Sequence, residues 1–136
     1  MIWPFHKQAT GLEQAASTLN PFIVVALSDL DAHVLREQVR TRTLAECYVY
    51  GAIRYLASYD DMRTDCAGIL LERMLARHFD ADSIEVNNYM MFISEIQNGA
   101  QEQLFMIEGA SALRRWLVEG DRKAGGNLKS LLGVSG

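Results

Sequence analysis

The chain holds only two prolines, Pro4 and Pro21, and none from residue 22 to residue 136. Proline removes a backbone donor and clashes with the preceding helical turn, so it interrupts helices and central strands alike. A long stretch without it, rich in Ala, Leu, Met, Glu, Gln and Arg, favours helix. Periodicity makes the choice firmer. No segment alternates apolar and polar residues with period two, whereas apolar residues recur at spacings of three and four along most of the chain. The expected fold is all-α, a single-domain bundle of about five helices with short connections.

Boundary signals divide the chain into an N-terminal arm with a short helix (1–19), a helical bundle core (20–119) and a Gly-rich C-terminal tail (120–136). The arm opens on "MIWPFHKQATG", and a short helix is expected from Leu12 to Leu19. Asn20-Pro21 is a favourable helix start, because Asn caps and Pro suits the first helical position. That helix is expected to run through "FIVVALSDLDAHVLREQ" with Ile23, Leu27, Leu30 and Val34 on its apolar stripe. "VRTRT" (Val39 to Thr43) reads as a break or as a continuation, and a second pattern follows from Leu44 to Tyr59. Asp60-Asp61 reads as the cap of a helix ending near His78 or Phe79, and Asp82 or Ser83 as the next cap. A further helix places Val86, Tyr89, Met90, Phe92, Ile93 and Ile96 on one face and closes at Asn98-Gly99. The last long helix ends at Gly120, and Gly125-Gly126 reads as flexibility in the tail.

The formal net charge of −4 argues against nucleic-acid binding, which needs a basic footprint. The charge is unevenly spread. Five basic and two acidic side chains lie from Ser111 onward, against eight basic and fifteen acidic before it. An acidic body with a basic end suits self-association or an acidic protein partner. Cys47 and Cys66 are too few and too far apart for a disulfide framework or zinc module, and read as buried free thiols of a cytoplasmic protein. No secretory signal is expected, and "PFIVVAL" is too short to span a bilayer.

Few residues suggest chemistry. Asp29, His33 and Glu37 are spaced four apart and would share one helical face. A metal reading also needs ligands from facing helices, and the chain contains neither Glu-x-x-His nor His-Glu-x-x-His. The three read instead as a solvated ladder. His78 falls at a helix end beside Leu71 and Met74, where it complements the dipole. Glu46, Asp65, Glu72, Glu95 and Glu108 are spread over several helices, and a buried carboxylate pair for acid–base work would have to be assembled from them. No P-loop, dinucleotide fingerprint or nucleophile elbow is present in the sequence. No metal, cofactor or small-molecule ligand is expected.

The last helix is the most informative. One apolar face carries Phe105, Met106, Gly109, Ala110, Leu113, Trp116 and Leu117; a narrower strip carries Ala100, Leu104, Ile107, Ser111 and Val118. Two apolar strips separated by polar residues mark either a central helix or a subunit contact. Tyr48, Tyr55 and Tyr59 form a stripe of their own, suited to a core edge or a partner interface. The leading expectation is therefore a non-enzymatic protein–protein interaction module, a homo-oligomer, with Leu104, Ile107, Ser111, Val118, Tyr55 and Tyr59 in contact and Arg114 and Arg115 steering the partner. One alternative is a bundle enzyme or a ligand or metal carrier using Asp29, His33, Glu37, Glu72 or His78. Another, peripheral membrane attachment through Trp3 and Phe5, has weak basic support in Lys7 alone.

Overall fold

The computed structural model describes residues 4–96 and 99–135 (the side chains of residues 4–10, 64, 92–96, 134 and 135 apart). Among the described residues it is all-α: α1 (Pro4–Leu27), α2 (Ala32–Glu37), α3 (Val39–Tyr59), α4 (Thr64–His78), α5 (Ser83–Ile96), α6 (Ala100–Val118), a 3₁₀ turn (Ala124–Gly126) and α7 (Asn127–Ser135). The expected bundle is present, with differences at the boundaries that have physical causes.

Helix α1 passes straight through Pro21, where a new start was expected. Ala15, Leu19, Phe22, Ile23 and Ala26 are all buried and make one stripe across the proline. Burial of that stripe outweighs the hydrogen bond the proline forfeits, and the proline itself faces solvent. The helix then stops at Leu27 rather than continuing to Gln38. Ser28 Oγ donates to the Val25 carbonyl at 2.8 Å, and Asp31 caps α2 by accepting from the His33 N–H at 2.8 Å. Short polar side chains of this kind compete with the helical ladder. Gln38, in extended conformation, separates α2 from α3.

Asp60-Asp61 closes α3 rather than capping α4, whose capping position is held by Arg63, its side chain bonding Asp65 at 3.1 Å rather than capping the helix. Asp61 lies at φ 52°, and the Met62 N–H reaches back to the Ala57 carbonyl. Asp80 ends α4 at the same φ, and Gly120 ends α6 at φ 70°. The left-handed region is free for Gly but costly for a residue with a Cβ, and an aspartate also opposes the negative helix end. Asp61→Gly and Asp80→Gly are each expected to raise stability by about 0.5–1 kcal/mol, read as a higher urea midpoint at unchanged slope.

Helix α3 is the centre of the bundle. Leu44 through Val49, Gly51 to Ile53, Leu56 and Ala57 are all buried. It meets α6 at unusually close range. A Cβ built at Gly51 would overlap the Met106 carbonyl oxygen, and one built at Gly109 would overlap the Tyr48 carbonyl oxygen. The two glycines are thus reciprocal, each admitting the other helix's backbone. Arg40, in the first turn of α3, bonds Glu102 in the first turn of α6 at 2.9 Å. At about 1.5 Å per residue, Glu102 would lie roughly 20 Å from Arg40 if the helices ran oppositely, so the pair is parallel.

The C-terminal segment belongs to the core. Ala124, Gly125 and Leu128 are buried, and a Cβ at Gly125 would press on Ala26 and the Phe22 carbonyl at 3.2 Å. The Tyr48 hydroxyl donates to Asn127 Oδ1, while Asn127 Nδ2 donates to Glu108 at 3.4 Å. The glycine pair read as flexibility is therefore part of a docked turn, in which α1 lies against Gly125 and leaves no room for a side chain there. Phe22 ties the elements together, stacked on Tyr48 at 6.3 Å and edge-on to Trp116 at 5.6 Å.

Candidate functional site

On α6, Phe105, Gly109, Ala112, Leu113 and Trp116 are buried. The second strip is open: Leu104 is 47%, Ile107 64% and Val118 54% exposed. Ser111 is half-buried between them, and Ala100 is exposed at the start. At 100° per residue these positions fall within about 60° of one another, roughly opposite Gly109. The strip thus points directly away from α3 and spans about 21 Å from Leu104 to Val118. Its borders are charged. Arg114 pairs with Glu119 at 3.5 Å, and Arg115 donates to Ser111 Oγ at 3.1 Å.

Tyr55 and Tyr59 stand elsewhere. They lie on α3, on the side turned to α6, with their rings stacked 5.9 Å apart and Tyr59 exposed. Because α3 covers the Gly109 side of α6, the tyrosines and the α6 strip form two separate surfaces. Tyr48, the third of the stripe, is fully buried, and burial holds its hydroxyl protonated well above the usual tyrosine range. Arg54 lies over the Tyr50 ring at 5.7 Å.

The carboxylate and histidine candidates are dispersed. Asp29 sits in the turn after α1, so it does not share a helix with His33 and Glu37, and all three are exposed. Glu72 is exposed on α4. His78 borders a cleft of about 280 Å³ lined by Ala32, Leu35, Arg36, Arg42, His78, Phe79, Asp80 and Glu85. Its Nε2 lies 2.9 Å from Asn20 Oδ1, and burial, then the neighbouring Arg77, lowers its pKa. Arg42 and Glu85 face each other across the cleft at 3.7 Å. Among the described residues no group of three His, Cys, Asp or Glu side chains is placed to hold a metal ion.

Sequence reasoning named Glu46 only among scattered carboxylates. In the structure it is 7% exposed on α3, and burial raises its pKa from 4.5 to about 7, with Arg42 opposing and Glu85 reinforcing. Beside it the Tyr89 hydroxyl donates to Cys47 Sγ at 3.8 Å, and burial lifts that thiol to about 11. The signal for Glu46 was its place inside the apolar run Leu44 to Val49. Cys66 is likewise buried and unbridged.

Trp3 and the Phe5 side chain lie outside the described residues, as do the side chains of Phe92, Ile93, Glu95 and Ile96. No helix among the described residues is long and apolar enough to cross a membrane. No family model, curated protein or solved structure matches this chain.

Proposed function

We propose that this chain is a non-enzymatic helical module that works by binding protein, with the outer strip of α6 as its contact surface. The observation that carries the reading is the row Leu104, Ile107 and Val118, all about half exposed or more on a helix whose opposite face is fully engaged in the core. Isolated exposed apolar residues are ordinary, but an aligned row over four turns, bordered by charge, has the make-up of an interface core and rim. A homo-oligomer in the cytoplasm fits two buried thiols and a self-complementary charge distribution.

The test is the double variant Leu104→Asp/Ile107→Asp. Both positions are exposed, so the melting temperature is expected to stay within about 2–4 °C of wild type. Solution mass by light scattering is expected to fall to that of the monomer. An unchanged mass together with unchanged bound partners removes the strip as the interface.

A second reading, a ligand site between α2 and α5, is favoured by the cleft beside His78, with its two arginines and two carboxylates. Native mass spectrometry separates the two readings: a ligand-free oligomer supports the first, and a monomer carrying a stoichiometric small molecule supports the second.

A further inference from the structure

The α6 strip carries more than an apolar row, and its borders indicate which partner it fits. Glu108 and Arg115 lie on the same border, two turns apart, at about 240–260° from Gly109 around the helix. Arg114 and Gln103 occupy the opposite border. The charged pair Glu108 and Arg115 is arranged symmetrically about the midpoint between Ser111 and Ala112. Leu104 and Val118 are symmetric about Ser111 itself. A helix face patterned in this way is complementary to itself when a second copy runs antiparallel across it.

We infer that the partner of this surface is a second copy of the chain, docked α6 on α6 in antiparallel, two-fold symmetric fashion with Ser111 beside the axis. The inference rests on the reading of the strip as an interface. In a closed two-fold contact, residue i meets j and j meets i. Leu104 then meets Val118 of the second copy, and Ile107 falls between the second copy's Ser111 and Val118. On one border Glu108 meets the second copy's Arg115, and the same pair recurs by symmetry. Same-border pairing is the rule for antiparallel helices, so the two opposite charges on one border are what antiparallel docking requires. Parallel docking would bring like charges into register. Ser111, the small side chain at the middle of the strip, sits where the two helices approach most closely. Both charged groups are already half-buried and oriented, Glu108 by Asn127 Nδ2 at 3.4 Å and Arg115 by Ser111 Oγ at 3.1 Å, so little side-chain freedom is lost on pairing.

The decisive experiment combines cross-linking with charge exchange. Ser111→Cys in the full chain is expected to form a covalent dimer on mild oxidation, because only residues next to a two-fold axis bring their own copies within disulfide reach. Leu104→Cys, about 10 Å from the axis on each copy, is expected to remain uncross-linked. Cys47 and Cys66 are buried and serve as the internal control in wild type. Glu108→Arg and Arg115→Glu are each expected to weaken dimerisation about tenfold or more, and the double exchange to restore it to within a few-fold. Suppose the Leu104→Asp/Ile107→Asp variant dissociates, yet Ser111→Cys does not cross-link and the exchange does not rescue. The antiparallel arrangement is then overturned while the strip remains the interface. A wild-type chain that stays monomeric at every concentration overturns the second copy as partner. The strip as a surface for other proteins then stands or falls on the double variant alone.

Discussion

Gly51→Ala and Gly109→Ala are each expected to cost at least about 3 kcal/mol, lowering the midpoint of thermal unfolding by about 10 °C or leaving no folded protein. A single methyl group is a small change, and its effect depends on what it meets. Here it meets backbone: the Met106 carbonyl in one case and the Tyr48 carbonyl in the other. Side chains can rotate away from an intrusion, but a carbonyl in a helical ladder moves only with its helix. The parallel α3–α6 pair would have to separate, opening gaps along a seam that includes Tyr48 and Phe105, both fully buried. Gly11→Ala is the control. Nothing lies within 4 Å of its added Cβ in α1, so that variant is expected to be neutral or stabilised by up to about 1 kcal/mol. Circular dichroism melts of the three variants suffice. Equal midpoints for Gly51→Ala, Gly109→Ala and wild type would falsify the close approach.

Glu46→Gln is expected to stabilise the protein at pH 8 by about 3 kcal/mol and to leave it nearly unchanged at pH 4. The sign follows from the direction of the shift. Burial raises the folded-state pKa to about 7 from 4.5, so the native state holds the proton more tightly than the unfolded chain does. Stability linked to this group is complete below pH 4.5. It declines as pH rises through the window to about 7, and above that the full cost of a buried carboxylate remains. Glutamine keeps the shape and removes the charge, so its denaturation midpoint is expected to lose the downward slope between pH 4.5 and 7. A wild-type chain with no such slope would show that Arg42 fully compensates the burial.

The sequence reveals some features of this molecule and conceals others. Helix content and the two faces of α6 were legible because both are periodic, and period survives any arrangement of neighbours. The exposure of Leu104, Ile107 and Val118 was not decided by pattern, since an apolar strip reads alike whether a neighbouring helix or solvent covers it. The closing role of Asp61 was hidden because aspartate serves both as an N-cap and, less often, in the left-handed position after a helix. Local propensity placed a boundary at Pro21, and tertiary burial of Leu19, Phe22 and Ile23 overrode it. The glycines at 51 and 109 carried a hint in the small residues around them, but the reciprocity of their contacts lies in two segments far apart in sequence. The separation of the tyrosine surface from the α6 strip likewise required the direction in which α3 approaches.

The docked C-terminal turn has a consequence for synthesis. Domains begin to consolidate while the chain is still being made, N-terminal portions first. Here the socket formed by Phe22, Ala26 and Tyr48 is filled by Gly125 and Asn127, which follow Tyr48 by 77 and 79 residues and the α1 residues by still more. Until that segment has left the ribosome, one flank of the earliest helix stays uncovered. The nascent chain would then depend on whatever shields apolar surface at the exit tunnel, and a premature stop before residue 124 would release a chain with its own keyhole open.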